Sequence, residues 1–479
     1  MLTVLLRVLA CGTVALAPLE GYLLQVHGQS AKVVPALLIG VWLVSLARRR
    51  RLPAPHPLHL LIALLAVVLL ATSAVHVAEP FTVEYLVRWV PFLVITVVLA
   101  DVAAREVPVR WLLAATVAGA VVAAAGGLYS VVSGSLRATG PLEDPNDLAF
   151  FLVAALPLLV ALPARGRVAW LVLGAVLVAG AAATFSRGGG IALGCALVWL
   201  IARRGLPVRA VVVTAAVTGV AALVFASAAQ AELARALQEK SHIAGTNADT
   251  RMLRWQAASR MLADNPVLGV GPGGFRQEYA AAGHNAEIDE QTPVAHNLFL
   301  EVAAELGIPG FLLLVGLIAV GFVASERAWR RAGAAGPVAL DEGGGAGRRV
   351  TVGAGAAVCG GWTGERAAIG TGAAAGGGWA GQQAAVGAGA GVAGGRAGQR
   401  EAVGAGAAAG AGWAARRRAV AARAALQREA VAVQAALIAV LVASIFLSEQ
   451  YYLPLWSLIA IAVALEQRSS KESRCASST

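Results

Sequence analysis

Leu58-His-Leu-Leu-Ile-Ala-Leu-Leu-Ala-Val-Val-Leu-Leu-Ala-Thr-Ser-Ala74 is an apolar run interrupted by a single histidine. A helix of about 17 to 25 such residues crosses a hydrocarbon core about 30 Å thick. Similar runs recur along the chain, so that 58% of its 479 residues are hydrophobic and 14% are charged, compared with roughly 25% charged in a soluble domain. Because backbone groups in lipid cannot bond to water, helices are expected. The sequence therefore predicts an all-α, polytopic membrane helix bundle.

Apolar runs of spanning length divide the chain into about twelve predicted transmembrane helices. The polar segment after span nine is predicted to be a large extracytoplasmic loop. The predicted spans are 2–17, 33–47, 58–74, 85–101, 111–132, 148–163, 168–184, 189–202, 208–228, 297–323, 431–448 and 452–466. The predicted domains are spans one to nine within 1–228, the extracytoplasmic loop 229–296, span ten within 297–331, an insert at 332–430, spans eleven and twelve within 431–466, and a cytoplasmic tail at 467–479.

Basic residues between the spans indicate the orientation. With a cytoplasmic N-terminus, the inside connections carry arginine clusters and the outside connections carry few basic residues, which is the bias that orients membrane proteins. The net charge of +11 is explained in this way, and we expect no nucleic-acid partner. The inside residues are Arg48, Arg49, Arg50, Arg51, Arg105, Arg110, Arg165, Arg167, Arg203, Arg204 and Arg209, and the outside residues are Lys32, Arg137 and Arg187.

The insert at 332–430 is rich in Gly, Ala and Arg and repeats every 17 residues. So much glycine with so few bulky apolar residues cannot bury enough surface to offset the entropy of the chain. The composition favours a disordered cytoplasmic linker, and a functional module or a frame error in part of the segment are the alternatives. Successive repeats open at Gly345, Trp362, Trp379, Arg396 and Trp413.

Four local patterns hold the polar residues that favour chemistry, and all lie on the predicted outer face or its flanks. Together, in this order, they resemble the O-antigen ligase family, which also includes O-antigen polymerases, over residues 85–331 and more weakly over 431–466. The patterns are Pro141-Leu-Glu-Asp-Pro-Asn-Asp-Leu-Ala149; Thr184-Phe-Ser-Arg-Gly-Gly-Gly190; Arg251-Met-Leu-Arg-Trp255 followed by Asp264-Asn-Pro-Val-Leu-Gly-Val-Gly-Pro-Gly273; and Ala295-His-Asn-Leu-Phe-Leu-Glu301 followed by Glu305-Leu-Gly-Ile-Pro-Gly310.

The resemblance implies a helical fold with a large periplasmic loop in the bacterial inner membrane. It implies transfer of a glycan from undecaprenyl pyrophosphate to a glycan, lipid or protein acceptor, without a metal or another cofactor. The four cysteines agree with this expectation, since they show no metal-binding spacing. The insert departs from the family, in which the corresponding cytoplasmic connection is short.

Arginine suits a pyrophosphate leaving group because it stays charged and binds phosphate oxygens with two parallel hydrogen bonds. The candidates are Arg187, Arg251, Arg254 and Arg88. Arg187 heads span eight, where helix N-terminal amides also favour anions. Arg88 lies near the outer end of span four, where a charge is costly in lipid and indicates function by default, although extension of the side chain to the interface explains it as well. An interfacial anchor or a solvated loop arginine is the alternative for each.

His296 is the predicted catalytic base, because a neutral imidazole at the outer surface can take the proton of an acceptor hydroxyl. The alternative is a structural residue at the start of span ten, beside Asn297. His284 is a weaker candidate within the loop.

Asp144, Asn146 and Asp147 are candidates for binding the acceptor or sugar hydroxyls. They are equally good caps for the helix that follows them. The residues do not distinguish a ligase from a polymerase. A transporter of the same lipid-linked glycan is the alternative from another class, and it should carry repeats across its spans and charges at the midplane.

Overall fold

The computed structural model describes residues 1–162, 166–206, 209, 249–284, 292–334 and 395–477. These residues are largely helical and contain no β-strand, so the predicted all-α fold is confirmed for this part of the chain. In chain order the helices are α1 (Leu2–Leu16), α2 (Glu20–Val26), α3 (Ser30–Arg49), α4 (Pro57–Val75), α5 (Thr82–Arg105), α6 (Val109–Val132), α7 (Pro145–Ala155), α8 (Arg167–Ala183), α9 (Arg187–Ala202), α10 (249–264), α11 (Gly274–Ala282), α12 (Leu298–Ala334), α13 (Gly395–Ala443) and α14 (Leu453–Ser477).

Seven helices within the described residues are long and apolar enough to cross a membrane, so the chain is a multi-pass membrane protein. They are Leu2–Val26, which joins α1 to α2, then α3, α4, α5, α6, α12 and Ala419–Ala443 in α13. Three shorter apolar helices, Pro145–Ala161, Val168–Ala183 and Arg187–Ala202, match spans six to eight of the sequence in position. The count of twelve stays a prediction, and nearly all of span nine lies outside the described residues.

Helix α14 forms the centre of the bundle. Its residues 454–466 are all buried, and it packs against α5 and α12. Large rings fill the contact with α5, where the ring centroids of Trp89 and Trp456 lie 6.0 Å apart in an edge-to-face arrangement. Such aromatic pairs stabilise packing beyond the area they bury.

One end of the bundle, which we call the basic end, carries a network of ion pairs. Helices α1, α4 and α6 begin there, and α3, α5 and α12 end there. Several arginines that the positive-inside rule predicts to be cytoplasmic thus lie together. The pairs are Arg49 with Glu106, Arg105 with Asp101 at 2.8 Å, Arg203 with Glu326, and Arg327 with Glu466 at 3.2 Å.

Contacts divide the chain into two units, residues 1–334 with 426–479 and residues 335–425. The predicted linker falls mainly in the second unit, and its residues 335–394 lie outside the described part. Helix α13 begins at Gly395, well before residue 431 where the sequence predicts span eleven. Alanine, which dominates residues 414–443, is the best helix former and allows this earlier start.

Helix α12 is broken at Gly307, whose backbone is not helical (φ 67°, ψ −173°). Residues 265–273, which we call the glycine loop, insert at the break. The amides of Val270 and Gly271 donate to the carbonyls of Ala304 and Glu305 at 2.9 and 3.0 Å. A break at membrane depth is tolerated only where the freed backbone groups find such partners. The glycine loop therefore joins helices α10 and α11 to the bundle.

Gly307→Ala should destabilise the fold. This backbone region is essentially restricted to glycine and costs other residues about 1–3 kcal/mol. A Cβ there would also lie 2.5 Å from the carbonyl oxygen of Val267. Thermal unfolding of the detergent-purified protein measures the effect. Gly316→Ala in the same helix meets only ordinary contacts and should be neutral or stabilising by at most about 1 kcal/mol. Equal unfolding midpoints for the two variants would contradict this account of the break.

Candidate functional site

The other end of the bundle, which we call the site end, is organised by residues 444–452, the connecting loop between α13 and α14. The loop touches the segments that carry the predicted site residues. Ser444 and Leu447 accept hydrogen bonds through their carbonyls from the Leu298 amide, both at 2.9 Å. A Cβ at Gly188, beside Arg187, would lie 3.0 Å from the Phe446 ring. The connecting loop is thus the common neighbour of α9 and α12.

The carboxyl group of Glu301 is the main polar contact between α12 and the connecting loop. It is fully buried and accepts hydrogen bonds from the Ala295 amide at 2.9 Å, from Gln450 Nε2 at 2.6 Å and from the Ser448 hydroxyl. No basic side chain among the described residues forms an ion pair with it. Three donors from two segments therefore hold this carboxyl in place, because a buried polar group without partners costs about 1–3 kcal/mol.

His296 lies directly after Ala295 and has a left-handed backbone (φ 49°), which is uncommon for a residue other than glycine. Its two neighbours are both fixed. Glu301 holds the Ala295 amide, and Asn297 caps α12 by accepting from the amides of Phe299 and Leu300 at 3.0 and 3.1 Å. Asn297 is therefore the residue whose side chain caps α12. His296 itself is half-buried, in a conformation that its flanks impose.

Asp147 and Glu449 form a pair of carboxyl groups between α7 and the connecting loop. Their side chains are hydrogen-bonded to each other, and the Tyr452 hydroxyl donates to Asp147 Oδ2 at 2.7 Å. Burial raises the pKa of Glu449 well above its ordinary value of 4.5, and the neighbouring Asp147 raises it further. Glu449 is therefore the protonated member of the pair and donates to Asp147.

Arg137 ties the head of α7 to the turn before α9. Its Nε donates to the Thr184 carbonyl at 2.8 Å, and its Nη2 donates to Asn146 Oδ1 at 3.2 Å. Asp144 caps α7 by accepting from the Asn146 amide at 2.7 Å. The capping alternative is therefore confirmed for Asp144, while Asn146 and Asp147 are occupied by Arg137 and Tyr452.

Arg251, on helix α10, lies close to Asp144 and Arg137. Burial lowers the pKa of its guanidinium, and Asp144 acts in the opposite direction. Arg254 and Arg137 lower the pKa further, which indicates that the three cations are near one another. Arginine nevertheless stays charged at neutral pH. Arg251 and Arg137 thus lie beside the same carboxylate, that of Asp144, and Arg254 lies near Arg251.

Arg254 also anchors helix α10. It is buried, donates to the Val294 carbonyl at 3.4 Å, and its guanidinium carbon lies 5.9 Å from the centre of the Tyr279 ring. A small apolar core that includes Ala257 and Met261 packs beneath it, as the helical face of this segment predicts. Arg254 therefore links α10 to α11 and to the strained segment before α12.

The remaining candidates lie at the edge of this arrangement. Arg187 is the first residue of α9 and is exposed, behind the cap that the Ser186 hydroxyl provides for the Gly189 amide at 3.2 Å. His284 is exposed, in a left-handed conformation after α11. The side chain of Arg88 is 47% exposed and pairs with Glu84. This exposure agrees with the alternative that a long side chain near a helix end extends to the interface.

Sequence reasoning missed Arg137, Glu449 and Tyr452 as members of this site. Arg137 was counted only for orientation. Glu449 interrupts the apolar stretch 431–466, and an ionisable residue in such a stretch indicates function by default. For Tyr452 no sequence signal was present, because its partner lies more than 300 positions away in the chain.

The arrangement can bind an anionic group and handle a proton. Three arginines provide the charge and the donor geometry for phosphate oxygens. A half-buried imidazole lies directly before α12, and a protonated carboxyl group lies in the connecting loop that contacts α12. Among the described residues no cluster of His, Cys, Asp and Glu has the geometry of a metal site.

Residues 168–315 match the sequence profile of the O-antigen ligase family. The match covers Arg187, Arg251, Arg254 and His296, and it confirms the family predicted from the four patterns. Asp147 and Glu449 lie outside the matched residues. No curated protein matches the chain in sequence.

Glu449→Gln should change how stability depends on pH. Because burial and Asp147 raise the pKa of Glu449, the folded chain loses stability as pH rises from 4.5 through the raised pKa. Glutamine stays neutral and removes this loss. The thermal midpoint of the variant minus that of the wild type should therefore increase as pH rises from about 5 to 8. Glu84→Gln, at an exposed position, controls for the loss of a carboxyl group. A constant difference between Glu449→Gln and the wild type would refute the buried protonated pair.

Proposed function

This chain carries an O-antigen ligase domain, and on that premise we propose that it is a membrane glycosyltransferase that moves a glycan from undecaprenyl pyrophosphate to an acceptor hydroxyl. We place the reaction on the outer face of the bacterial inner membrane. The observation that carries the proposal is that Arg251 lies near Arg137 and Arg254, while Arg254 donates to the Val294 carbonyl in the segment that carries the strained His296.

The arginines bind the pyrophosphate of the donor lipid. In the reaction the bond between the anomeric carbon and the phosphate oxygen breaks, and undecaprenyl pyrophosphate leaves with the electron pair. Arg251 and Arg137 stabilise the charge that develops on this leaving group, since preorganised donors are most effective where charge appears. Arg254 holds α10 in position, and Arg187 lies at the rim as a further phosphate ligand.

His296 is the base. The acceptor oxygen attacks the anomeric carbon, and the imidazole takes the hydroxyl proton as the new glycosidic bond forms. Its strained backbone, fixed by Glu301 and Asn297, keeps the ring in one orientation for this transfer. Such strain persists where the surroundings over-determine it. Asp147, which is half-buried, accepts hydrogen bonds from sugar hydroxyls beside the connecting loop, in addition to the one from Tyr452.

The acceptor is a sugar, lipid or protein hydroxyl, and both ligation and polymerisation use the same steps. Transport of the lipid-linked glycan is less well supported. The broken helix α12 is a feature that transporters also use, but its break lies near one end of the helix, and the described charges gather at the two ends of the bundle.

Arg251→Ala and His296→Ala should each abolish most transfer. Loss of one preorganised donor typically lowers the rate about 10²- to 10³-fold, and loss of a general base about 10²- to 10⁴-fold. Arg251→Lys should recover only part of the activity, because a point charge cannot replace the two-pronged contact. Reconstituted protein with an undecaprenyl-pyrophosphate oligosaccharide and an acceptor measures the product, and binding of the donor is followed in parallel.

The two variants should differ in donor binding, which weakens for Arg251→Ala and stays near wild type for His296→Ala. Arg260→Ala is the matched control, since Arg260 shares helix α10 and, among the described residues, donates to the Ala282 carbonyl rather than to a site residue. Near wild-type turnover of His296→Ala would leave the histidine as a structural residue. Normal donor turnover by Arg251→Ala would move the pyrophosphate contact elsewhere.

We expect the site end to face away from the cytoplasm. In a background without the four cysteines of the chain, Ala280→Cys on the exposed side of α11 should react with a membrane-impermeant thiol reagent in intact spheroplasts. Arg51→Cys at the basic end should react only after lysis. The reverse pattern would invert the topology and remove the proposed outer site.

A further inference from the structure

Arg88 and Arg276 stack on two adjacent aromatic rings, away from Arg137, Arg251 and Arg254. The guanidinium carbon of Arg88 lies 4.6 Å from the centre of the Tyr85 ring. Arg276, on α11, lies close to the Tyr85 hydroxyl, and its guanidinium carbon lies 4.5 Å from the centre of the Phe81 ring. Two arginines from separate segments are thus held on adjacent rings at the head of α5.

Both rings are fixed by further packing. The centroids of Phe81 and Tyr85 are 6.5 Å apart, and Tyr85 in turn lies 5.8 Å from Tyr451 of the connecting loop, each pair edge to face. Stacking on an aromatic face restricts a guanidinium while leaving its N–H groups available at the ring edge. The arginine pair is therefore partly preorganised.

The pair lies near the start of α5, a helix that has a lipid-facing surface. Val83, Val87 and Val90 form an exposed apolar face of α5, a helix long and apolar enough to cross a membrane, and the half-exposed Arg88 side chain lies on another face of the same helix. Arg88 is six residues beyond the start of α5 at Thr82, which places it about 9 Å along the helix axis. That depth corresponds to the headgroup region, and charged side chains on a lipid-facing helix reach it by extending along the surface.

The charges of the pair are only weakly neutralised. Glu84 pairs with Arg88, and both side chains are about half exposed; exposed pairs of this kind contribute little. Arg276 makes no ion pair within the described residues. A phosphate group can therefore replace Glu84 as the partner of Arg88 and bind Arg276 at the same time, and guanidinium groups favour phosphate oxygens.

We propose that Arg88 and Arg276 form a binding site for the phosphate group of a membrane-embedded lipid, which enters from the lipid side of α5. The site differs from the pyrophosphate contact proposed above, because its arginines touch Phe81 and Tyr85 and not the head of α7. The ligand is a lipid with an anionic phosphate at headgroup depth, either an anionic phospholipid or the polyprenyl donor before it reaches the other arginines.

Native mass spectrometry of the full-length protein in detergent tests the site by counting retained lipids. The probes are dioleoylphosphatidylglycerol, undecaprenyl pyrophosphate, zwitterionic dioleoylphosphatidylcholine and free inorganic pyrophosphate. The wild type should retain at least one anionic lipid in preference to phosphatidylcholine. The double variant Arg88→Gln with Arg276→Gln should retain that lipid about tenfold more weakly, and each single variant should fall between, since each removes one charge-assisted contact.

Arg260→Gln on the neighbouring helix is the matched control and should bind lipid as the wild type does, while thermal unfolding verifies that each variant is folded. Selective loss of phosphatidylglycerol identifies a phospholipid site, and selective loss of undecaprenyl pyrophosphate identifies a donor entry site. Unchanged lipid retention in the double variant overturns the proposal. The proposal is also overturned if free pyrophosphate competes for the site as effectively as either lipid does. Arg251→Gln should keep binding of phosphatidylglycerol, so a failure of the catalytic proposal remains separable.

Discussion

The rest of the site end depends on backbone hydrogen bonds at the break in α12. A helix interrupted in a membrane leaves carbonyl and amide groups that water cannot reach, and each costs free energy unless another group pairs with it. The glycine loop pairs with the carbonyls of Ala304 and Glu305, and the amide of Ile308 in turn donates to the Pro266 carbonyl at 2.8 Å. This reciprocal contact fixes α10 and α11, and with them Arg251 and Arg254, above the bundle.

Glycine is required at the break for steric reasons. At Gly269 a Cβ would lie 2.4 Å from the backbone of Glu305, and at Gly271 it would lie 2.8 Å from the His76 side chain. Both residues also have positive φ angles. The close approach of the Glu305 backbone therefore explains Gly269, and the nearby His76 side chain together with the positive φ angle explains Gly271. Their chemical role is indirect, since they let the arginine-bearing helices dock against the head of α12.

The site end combines buried carboxyl groups with cations at its surface. Glu301 and Glu449 are buried without a basic partner among the described residues, and hydrogen bonds from neutral donors satisfy the first of them. Burying such groups rarely adds stability by itself. Here they fix the connecting loop relative to α7 and α12, so that the base and the arginines are held by the same few residues. The free energy of folding lost by burying these carboxyl groups is compatible with a site whose side chains need a defined geometry.

The sequence predicted the membrane class, the all-α fold and the segments that meet at the site. Arg251 and Arg254 were proposed as site residues because they are cations in a short helical motif, and His296 was proposed because it precedes a span. Local patterns cannot show which partners lie far away in the chain. The contact of Asp147 with Tyr452 and Glu449 depends on the path of α14 through the bundle, and the exposure of Arg88 depends on which face of α5 packs inward. These features required the tertiary arrangement.

The burial of α14 has a consequence for the order of events during synthesis. The helix that fills the centre of the bundle follows every other described span in the chain, so α5 and α12 are made before their principal partner exists. At roughly 5–20 residues per second, the ribosome needs on the order of ten seconds to proceed from the end of α12 to the connecting loop. During that interval the arginines are present but Glu449 and Tyr452 are not. The nascent protein therefore passes through a membrane-inserted state that has the arginines of the candidate site but not the connecting loop that contacts α7, α9 and α12.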